Sequence, residues 1–242
     1  MPTAQISTST PYPWPHDATL SPSTTALLII DMQYDFLSAT GYLGTLNPSS
    51  PARFQPLLNT IPTLLRAFRR AGFPVLHTRE GHDASLSTVS SRERHRSGVC
   101  GAAIGALGPM GRFLVRGEKG HGIVPEVAPV EGEMVIDKPG RGAFTGTELD
   151  AVLRAKGVRN IVVCGVTADA CVNSTVREAS DRQYDVLVVT DGVESMSEEL
   201  KRWSLESITV EGGLFGVTAD SKAVLEAVED WYSSKNNEPS NG

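Results

Sequence analysis

One cysteine stands where an apolar run gives way to a polar helical pattern, in the stretch GVTADACVNSTVREASDR. A thiolate is a strong nucleophile, and the free N–H groups and the dipole at the start of a helix favour the anion. Cys171 is therefore a candidate nucleophile. The alternative is a small packed residue. That interpretation suits Cys164 within the apolar run, while Cys100 lies in a long segment with no recognisable setting.

An acid and a lysine each end another predicted apolar strand. Asp31 closes ALLIID, where an acid either caps the following turn or, with its pKa raised by burial, serves as a general base for a thiol. Asp35 competes for that role, but it lies beyond the strand and is expected to order the turn. Lys138 closes MVIDK as either a solvated charge or a cation that lowers the thiol pKa. Asp137 should point to the opposite face of its strand.

These residues depend on six predicted strands to bring them together. The strands cover residues 26–31, 74–78, 134–138, 160–165 and 185–191 and a short piece in GLFGV. Strands that alternate with helices form a parallel sheet with helices on both faces. The predicted fold class is α/β: a three-layer α/β/α sandwich around a doubly wound, mostly parallel, Rossmann-like sheet. Ligands of such sheets bind outside the carboxyl ends of the strands, where Asp31, Lys138 and Cys171 all lie.

The apolar periodicity places helices between these strands. They cover about 51–71, 146–156, the residues after Cys171 to about 183, 197–210 and 221–231. Pro62 is expected to divide or kink the first helix. Residues 79–132 show no clean period, and so long an irregular stretch is typically functional.

One domain is predicted over residues 25–232. Residues 1–24 are rich in serine, threonine and proline and are expected to form an extended arm that Trp14 pins to the body. Residues 233–242 are expected to be a disordered tail.

The composition argues against several classes of partner. The 242 residues carry a formal net charge of −6, whereas nucleic acid or an anionic membrane needs a basic surface. Three cysteines do not make a disulfide framework and fit a reducing compartment. The N-terminal segment lacks the features of a secretory signal, and no apolar run approaches the ~20 residues that span a bilayer. A cytoplasmic protein with a small-molecule substrate is expected.

Three segments together resemble a known family. LLIIDMQYDF, IDKPGRGAF and VCGVTADACVNSTVREASDRQYDVLVVTD are similar to the signature segments of the isochorismatase-like cysteine hydrolases, and the similarity runs from about Ala26 to Val228. HTREGH, GPMGRFLVRGEKGHGIVPEVAPVEGE and EGGLFG look most like biuret and ureidoacrylate amidohydrolases. The resemblance implies a catalytic triad of Asp31, Lys138 and Cys171, no cofactor, and a homodimer or homotetramer.

The same resemblance implies an oxyanion hole. A cis peptide is expected between Val166 and Thr167, and it would aim the Thr167 N–H, together with the Cys171 N–H, at the substrate oxygen. These features predict a cysteine-dependent amidohydrolase that cleaves a C–N bond of a small urea, ureido compound or carboxamide through a thioester. The alternatives are a nicotinamidase-type ring amidase, an isochorismatase-type vinyl-ether hydrolase, which commonly lacks the cysteine, and a non-catalytic binding protein.

Other residues are assigned to the substrate pocket. Phe36 and Phe144 are expected to form apolar walls. Glu211 stands where members resembling biuret hydrolases often have glutamine. A carboxylate only accepts hydrogen bonds, so it favours a cationic or N–H-rich substrate and disfavours an anionic one. The basic cluster around Arg96 is expected to be a solvated loop, with contact to a substrate carboxylate as the alternative.

No metal site is predicted. The nicotinamidase branch often binds a metal through an aspartate and several histidines near the second strand, and HTREGHD supplies His77, His82 and Asp83. The remaining spacing does not complete a ligand set. Arg79, Glu80 and His82 are instead expected to shape the entrance of the pocket or a subunit contact.

Overall fold

A six-stranded sheet forms the centre of the computed structural model, which describes residues 5–236. The strands are β1 (Thr25–Ile30), β2 (Val75–Glu80), β3 (Leu107–Gly108), β4 (Gly111–Arg112), β5 (Met134–Lys138), β6 (Asn160–Val166), β7 (Asp185–Glu194) and β8 (Val217–Ala219). The order in the sheet is β5-β2-β1-β6-β7-β8, and every neighbouring pair is parallel. Strands β3 and β4 form a separate antiparallel hairpin.

The direction of winding reverses at the middle of the sheet. The chain runs outward from β1 to β2 and β5, returns to β6 on the other side of β1, and then continues outward to β7 and β8. Every residue of β1 and β6 is buried, which explains why both read as continuous apolar runs. The carboxyl ends of β5, β2, β1 and β6 therefore lie side by side at the switch point, the usual place of a ligand site in such sheets.

Helices cover both faces of the sheet, as the sequence predicted. They are α1 (Tyr34–Leu37), α2 (Tyr42–Leu46), α3 (Ser50–Phe54), α4 (Leu57–Arg70), α5 (Ser91–Val99), α6 (Leu149–Ala155), α7 (Asn173–Asp181), α8 (Glu198–Gly213) and α9 (Ser221–Asn236). One core lies under α4 and α9, with Phe68 and Val224 fully buried. The other lies under α6, α7 and α8, with Leu153 and Val176 fully buried.

Two predicted helix boundaries were wrong. Pro62 lies inside α4 without dividing it, and the break falls earlier, between α3 and α4. The buried side chains on the apolar face of α4 hold the helix across the one hydrogen bond that a proline removes. At the other end of the chain α9 continues to Asn236, so residues 233–236 are helical, and residues 237–242 lie outside the described part.

The segment 79–132 is better ordered than its sequence pattern indicated. It contains α5, whose N-terminus is capped by the Ser90 hydroxyl accepting from the Glu93 N–H, and the β3–β4 hairpin. The buried Asp35 carboxylate accepts a hydrogen bond from the Leu114 N–H at 2.9 Å. Asp35 therefore orders this distant segment, and not only the turn after β1.

Residues 5–24 of the N-terminal arm pack on the body of the molecule. Trp14 is completely buried and forms an antiparallel bridge with Ile6. Thr10 exchanges both backbone hydrogen bonds with Thr218 of β8, which covers part of an otherwise open sheet edge. Among the residues described, no helix combines the length and the apolar character needed to cross a membrane.

Candidate active site

An acid, a lysine and a cysteine meet at the switch point of the sheet. Asp31 follows β1, Lys138 ends β5, and Cys171 lies a few residues beyond β6. The Lys138 Nζ is 2.8 Å from the Asp31 Oδ2. All three side chains are buried, and a sulfur, a carboxylate and an ammonium thus share one enclosed space.

The Asp31 carboxylate is held from two sides. Besides the contact with Lys138, its Oδ1 accepts a hydrogen bond from the Thr78 hydroxyl of β2 at 2.6 Å. Burial raises the pKa of Asp31 and outweighs the opposing effects of Lys138 and Thr78, and the nearby Glu80 raises it further. A carboxylate with a raised pKa is suited to take a proton from a neighbouring group and to return it later.

Lys138 is the charge that holds the acids together. Its Nζ forms an ion pair with Asp31, donates a hydrogen bond to the Gly140 carbonyl, and lies 3.5 Å from the Glu80 Oε2. Burial alone would lower the Lys138 pKa, but the carboxylates of Asp31 and Glu80 and the sulfur of Cys171 outweigh it, and the pKa is raised. Lys138 therefore stays an ammonium throughout the physiological pH range.

Cys171 lies in a π-helical turn, Ala168–Val172, and not in the first turn of an α-helix as the sequence suggested. The Val172 N–H donates to the Thr167 carbonyl five residues earlier, and α7 begins only at Asn173. Burial raises the pKa of the Cys171 thiol despite the opposing effect of Lys138. The expectation of a lowered thiol pKa was wrong because desolvation dominates, so the thiol needs a base.

The peptide bond between Val166 and Thr167 is cis, the geometry that the resemblance implied for this bond. Gly165, with a φ of 117°, precedes it opposite Ile30, and a side chain there would overlap the Ile30 carbonyl. The close approach of the two backbones brings the turn after β6 next to the end of β1. The Ser204 hydroxyl of α8 fixes this turn by donating to the Ala168 carbonyl at 2.5 Å.

Glu80 belongs to this cluster, although the sequence pattern assigned it only to the entrance or to a subunit contact. The thiol of Cys171 donates to its Oε2 at 3.4 Å. A carboxylate oxygen of Asp31, one of Glu80 and the Cys171 sulfur all lie within 4.8 Å of one another. Burial alone would raise the Glu80 pKa, but Lys138 and Arg141 outweigh it, and the pKa is lowered. Glu80 is therefore the ionised carboxylate next to the sulfur.

A buried glutamine fixes the position of Glu80. The Gln33 side chain accepts a hydrogen bond from the Glu80 N–H at 2.7 Å and donates to the carbonyls of Glu80 and His121. Gln33 lies two residues after Asp31, in a stretch whose helical pattern is too short to show which side chains turn inward. The sequence pattern ended the second strand at residue 78, whereas β2 continues to Glu80. An acid just beyond a predicted strand end was the available signal.

The three residues assigned to the substrate pocket have separate surroundings and do not form a cluster as the reactive side chains do. Phe36 is buried and contacts the Tyr42 ring edge-on, with centroids 6.4 Å apart. The Phe144 ring packs on Tyr184, the residue directly before β7. Glu211 is exposed in the final, irregular turn of α8, and within residues 5–236 it makes no side-chain hydrogen bond or ion pair. Its role in substrate binding stays a prediction that its position does not support.

Each of the three candidate metal ligands of HTREGHD forms a hydrogen bond with a different partner. His77 bonds the Glu133 carboxylate on the far side of β2, and His82 bonds the Thr88 hydroxyl. Asp83 accepts from the backbone of Ser85 in its own exposed turn. These partners hold the three side chains apart.

Replacement of Glu80 by glutamine should lower kcat roughly 100-fold. The amide has the same shape as the carboxylate, but it carries no negative charge and cannot accept a proton. Steady-state release of ammonia or amine measures the effect. Glu133→Gln is the matched control, since it changes another glutamate with a largely covered side chain, which bonds His77 of β2 on the face away from Cys171. Equal activity losses in the two variants would show that Glu80 has only a structural role.

The chain is similar to known proteins over most of its length. A model of the isochorismatase domain matches residues 25–222, which include all four strand ends of the site. Ureidoacrylate amidohydrolase RutB of Klebsiella variicola is 30% identical over 180 residues, covering 73% of this chain and 76% of the relative.

Two solved structures share the fold at low sequence identity. A cysteine hydrolase from Pseudomonas syringae pv. phaseolicola superposes with a TM-score of 0.76 at 25% identity, covering 88% of this chain and 96% of the other. N-carbamoylsarcosine amidase from Thermoplasma acidophilum has a TM-score of 0.63 at 26% identity, with 82% and 96% covered. Because the domain match spans the whole sheet and the site residues, the chain belongs to the isochorismatase domain family.

Proposed function

We propose that the chain is a cysteine-dependent amidohydrolase that cleaves a C–N bond of a small ureido compound or carboxamide. The observation that carries this proposal is the buried cluster at the switch point, in which Cys171 lies beside two carboxylates and an ammonium. The names of the similar proteins, a ureidoacrylate amidohydrolase and an N-carbamoylsarcosine amidase, support an amide substrate. A thiol that only filled space would not need three charged neighbours, which are costly to bury.

The reaction begins with the loss of the thiol proton. Asp31 takes the proton of Cys171 as the sulfur attacks the carbonyl carbon, and the carbonyl electron pair moves to the oxygen. The N–H groups of Thr167 and Cys171 stabilise that oxyanion. Lys138 keeps the carboxylates in place and compensates the negative charge.

The C–N bond then breaks. Asp31 passes the proton to the leaving nitrogen, which departs as ammonia or an amine and leaves the acyl group on sulfur. Water attacks the carbonyl carbon of this acyl-enzyme and gives a proton to a carboxylate of the cluster. The C–S bond then breaks, the acid product leaves, and the sulfur takes that proton back from the carboxylate. Glu80, ionised and next to Cys171, is placed to accept the proton of this water.

The test is a panel of small substrates with ammonia and amine release as the readout. Ureas, ureido acids and linear carboxamides should react, while nicotinamide and a vinyl ether of the isochorismate type should not. A panel in which only the ring amide or the vinyl ether is cleaved would replace the proposal with one of the two alternative hydrolases.

The cytoplasmic location and the homo-oligomer remain proposals from the sequence.

The pH dependence should identify Asp31 as the base. Its pKa is raised above the ordinary value near 3.9, so kcat/KM should fall on the acid side at a pH above about 4, as Asp31 gains a proton and can no longer accept one. Because Glu80 raises the Asp31 pKa, Glu80→Gln should move this acid limb to lower pH. An unmoved limb in the variant would assign the titration to another group.

A further inference from the structure

A buried serine lies directly after β7 and contacts the turn that carries Cys171. Strands β6 and β7 are parallel neighbours with Val166 paired to Glu194, so the residues that follow the two strands lie side by side. Ser195 is completely buried, and its hydroxyl donates to the Asp169 Oδ1 at 2.5 Å. The same hydroxyl oxygen accepts a hydrogen bond from the Asp169 N–H at 3.3 Å. One hydroxyl thus holds Asp169 both by its backbone and by its side chain.

Asp169 is part of the π-helical turn that carries Cys171. Because π-helical turns are rare in proteins, contacts from neighbouring elements are expected to hold one in place. Ser204 of α8 donates to the carbonyl of the residue before Asp169, and Ser195 holds Asp169 itself from the end of β7. Two serines from two elements therefore fix the segment between Thr167 and Cys171, whose N–H groups are the oxyanion donors of the proposed reaction.

A charged network holds the backbone of Ser195. The Arg53 Nε of α3 donates to the Ser195 carbonyl at 3.0 Å, and the Glu194 Oε1 accepts from the Ser195 N–H at 2.9 Å. Arg53 and Glu194 also pair with each other at 2.8 Å, and the Lys201 Nζ of α8 lies 3.4 Å from the second oxygen of Glu194. Contacts with α3 and with the end of β7 therefore set the position of Ser195, and its hydroxyl is a fixed point that holds the turn.

We infer that Ser195 is a positioning residue, which acts through Asp169 to keep the N–H groups of Thr167 and Cys171 aligned with the substrate oxygen. This inference rests on the proposed function and extends it to a residue that takes no part in proton transfer. Oxyanion donors are effective when they are preorganised where the charge develops. Loss of the Ser195 hydroxyl frees one side of the turn, and a displacement of about 1 Å can cost about 100-fold in rate. The carboxylates around Lys138 are held by other strands and keep their contacts.

Two reagents separate the oxyanion donors from the nucleophile. The Cys171 thiolate attacks the carbonyl carbon of 4-nitrophenyl acetate, which forms an oxyanion and then expels 4-nitrophenolate. Iodoacetamide alkylates the same sulfur at a saturated carbon, with loss of iodide and without an oxyanion. Ser195→Ala should lower the rate of nitrophenolate release about tenfold, while the alkylation rate changes less than about twofold. Both rates are measured in Cys100→Ser protein, which lacks the exposed thiol, and Cys171→Ser gives the background.

Three further variants test the action through Asp169. Asp169→Asn keeps an oxygen that accepts from the Ser195 hydroxyl, and it should retain the ester rate within about twofold. Asp169→Ala removes that oxygen and should lower the ester rate at least about threefold, so it carries the test if Ser195→Ala fails to fold. Ser50→Ala is the matched control, because it removes another fully buried hydroxyl, which donates to the Asn47 carbonyl, and it should change neither rate.

The outcomes distinguish this inference from the proposed function. An unchanged ester rate in Ser195→Ala, or equal losses with both reagents, overturns the positioning role and leaves the amidohydrolase intact. If the wild type reacts with the ester but cleaves no amide of the panel, the proposed function fails, and the two rates still decide the role of Ser195. If the ester reacts with the wild type no faster than with Cys171→Ser, both proposals fail.

Discussion

Replacement of Cys171 by serine is expected to leave a folded protein whose turnover of the preferred substrate is reduced at least about 1000-fold. Serine is close in size to cysteine, so the packing around the buried side chain should change little. Its hydroxyl has a far higher pKa than a thiol, and a carboxylate base that serves a thiol cannot deprotonate it. Ammonia release at substrate saturation measures the loss, and circular dichroism confirms the fold.

The other two cysteines provide the controls for this experiment. Cys100 is exposed, and Cys100→Ser should retain full activity. Cys164 is buried in β6 and has burial as the one cause of its raised pKa, so it should react with iodoacetamide only in unfolded protein. Cys171 differs because the carboxylates beside it can take its proton. Alkylation of Cys171 in the folded wild type should abolish turnover in proportion to its extent. Full turnover by Cys171→Ser, or an alkylated enzyme that remains active, would exclude the proposed nucleophile.

Replacement of Lys138 by methionine is expected to produce the largest loss of stability, about 3–5 kcal/mol, or roughly 10 °C in Tm. Methionine has nearly the same length and fills the same space, but it leaves the buried carboxylates of Asp31 and Glu80 without their shared cation. Removing one partner of a buried ion pair is costly because the remaining charge is not solvated. Activity should be lost as well, since nothing then keeps the cluster in position.

The pH dependence of this loss identifies its cause. Both carboxylates become neutral when the pH falls below their pKa values, and without Lys138 those values rise, so the deficit in Tm should be smaller at pH 5 than at pH 7. Lys222→Met, at an exposed lysine paired within α9, should change Tm little at either pH. A deficit of equal size at both pH values would assign the loss to packing and not to the buried charges.

The sequence by itself determined the architecture and three members of the cluster. Alternating strand and helix patterns predict a parallel sheet, because a buried parallel strand is apolar along its whole length and this property is local. Asp31, Lys138 and Cys171 each interrupt or follow such a run. The carboxyl ends of neighbouring parallel strands meet, so their proximity followed from the topology.

Only the tertiary structure decided which other side chains join them. Glu80 ends β2 as Lys138 ends β5, and the two residues are paired neighbours in the sheet. This pairing places the Glu80 carboxylate in the interior beside the Cys171 sulfur, although the local sequence is polar, as at a protein surface. The orientations of Phe144 and Glu211 were equally open, because short or irregular segments carry no periodicity that separates inward from outward positions.

The protonation states were also beyond the sequence. A pKa depends on how much water the whole fold removes from a group and on charges contributed by distant strands. Position near a helix start predicted a lowered pKa for Cys171, yet complete desolvation raises it. The same fold raises the pKa of Asp31, where burial outweighs Lys138, and lowers that of Glu80, where Lys138 and Arg141 together outweigh burial. The sequence identifies the reactive side chains, and the packing of the fold sets their protonation states.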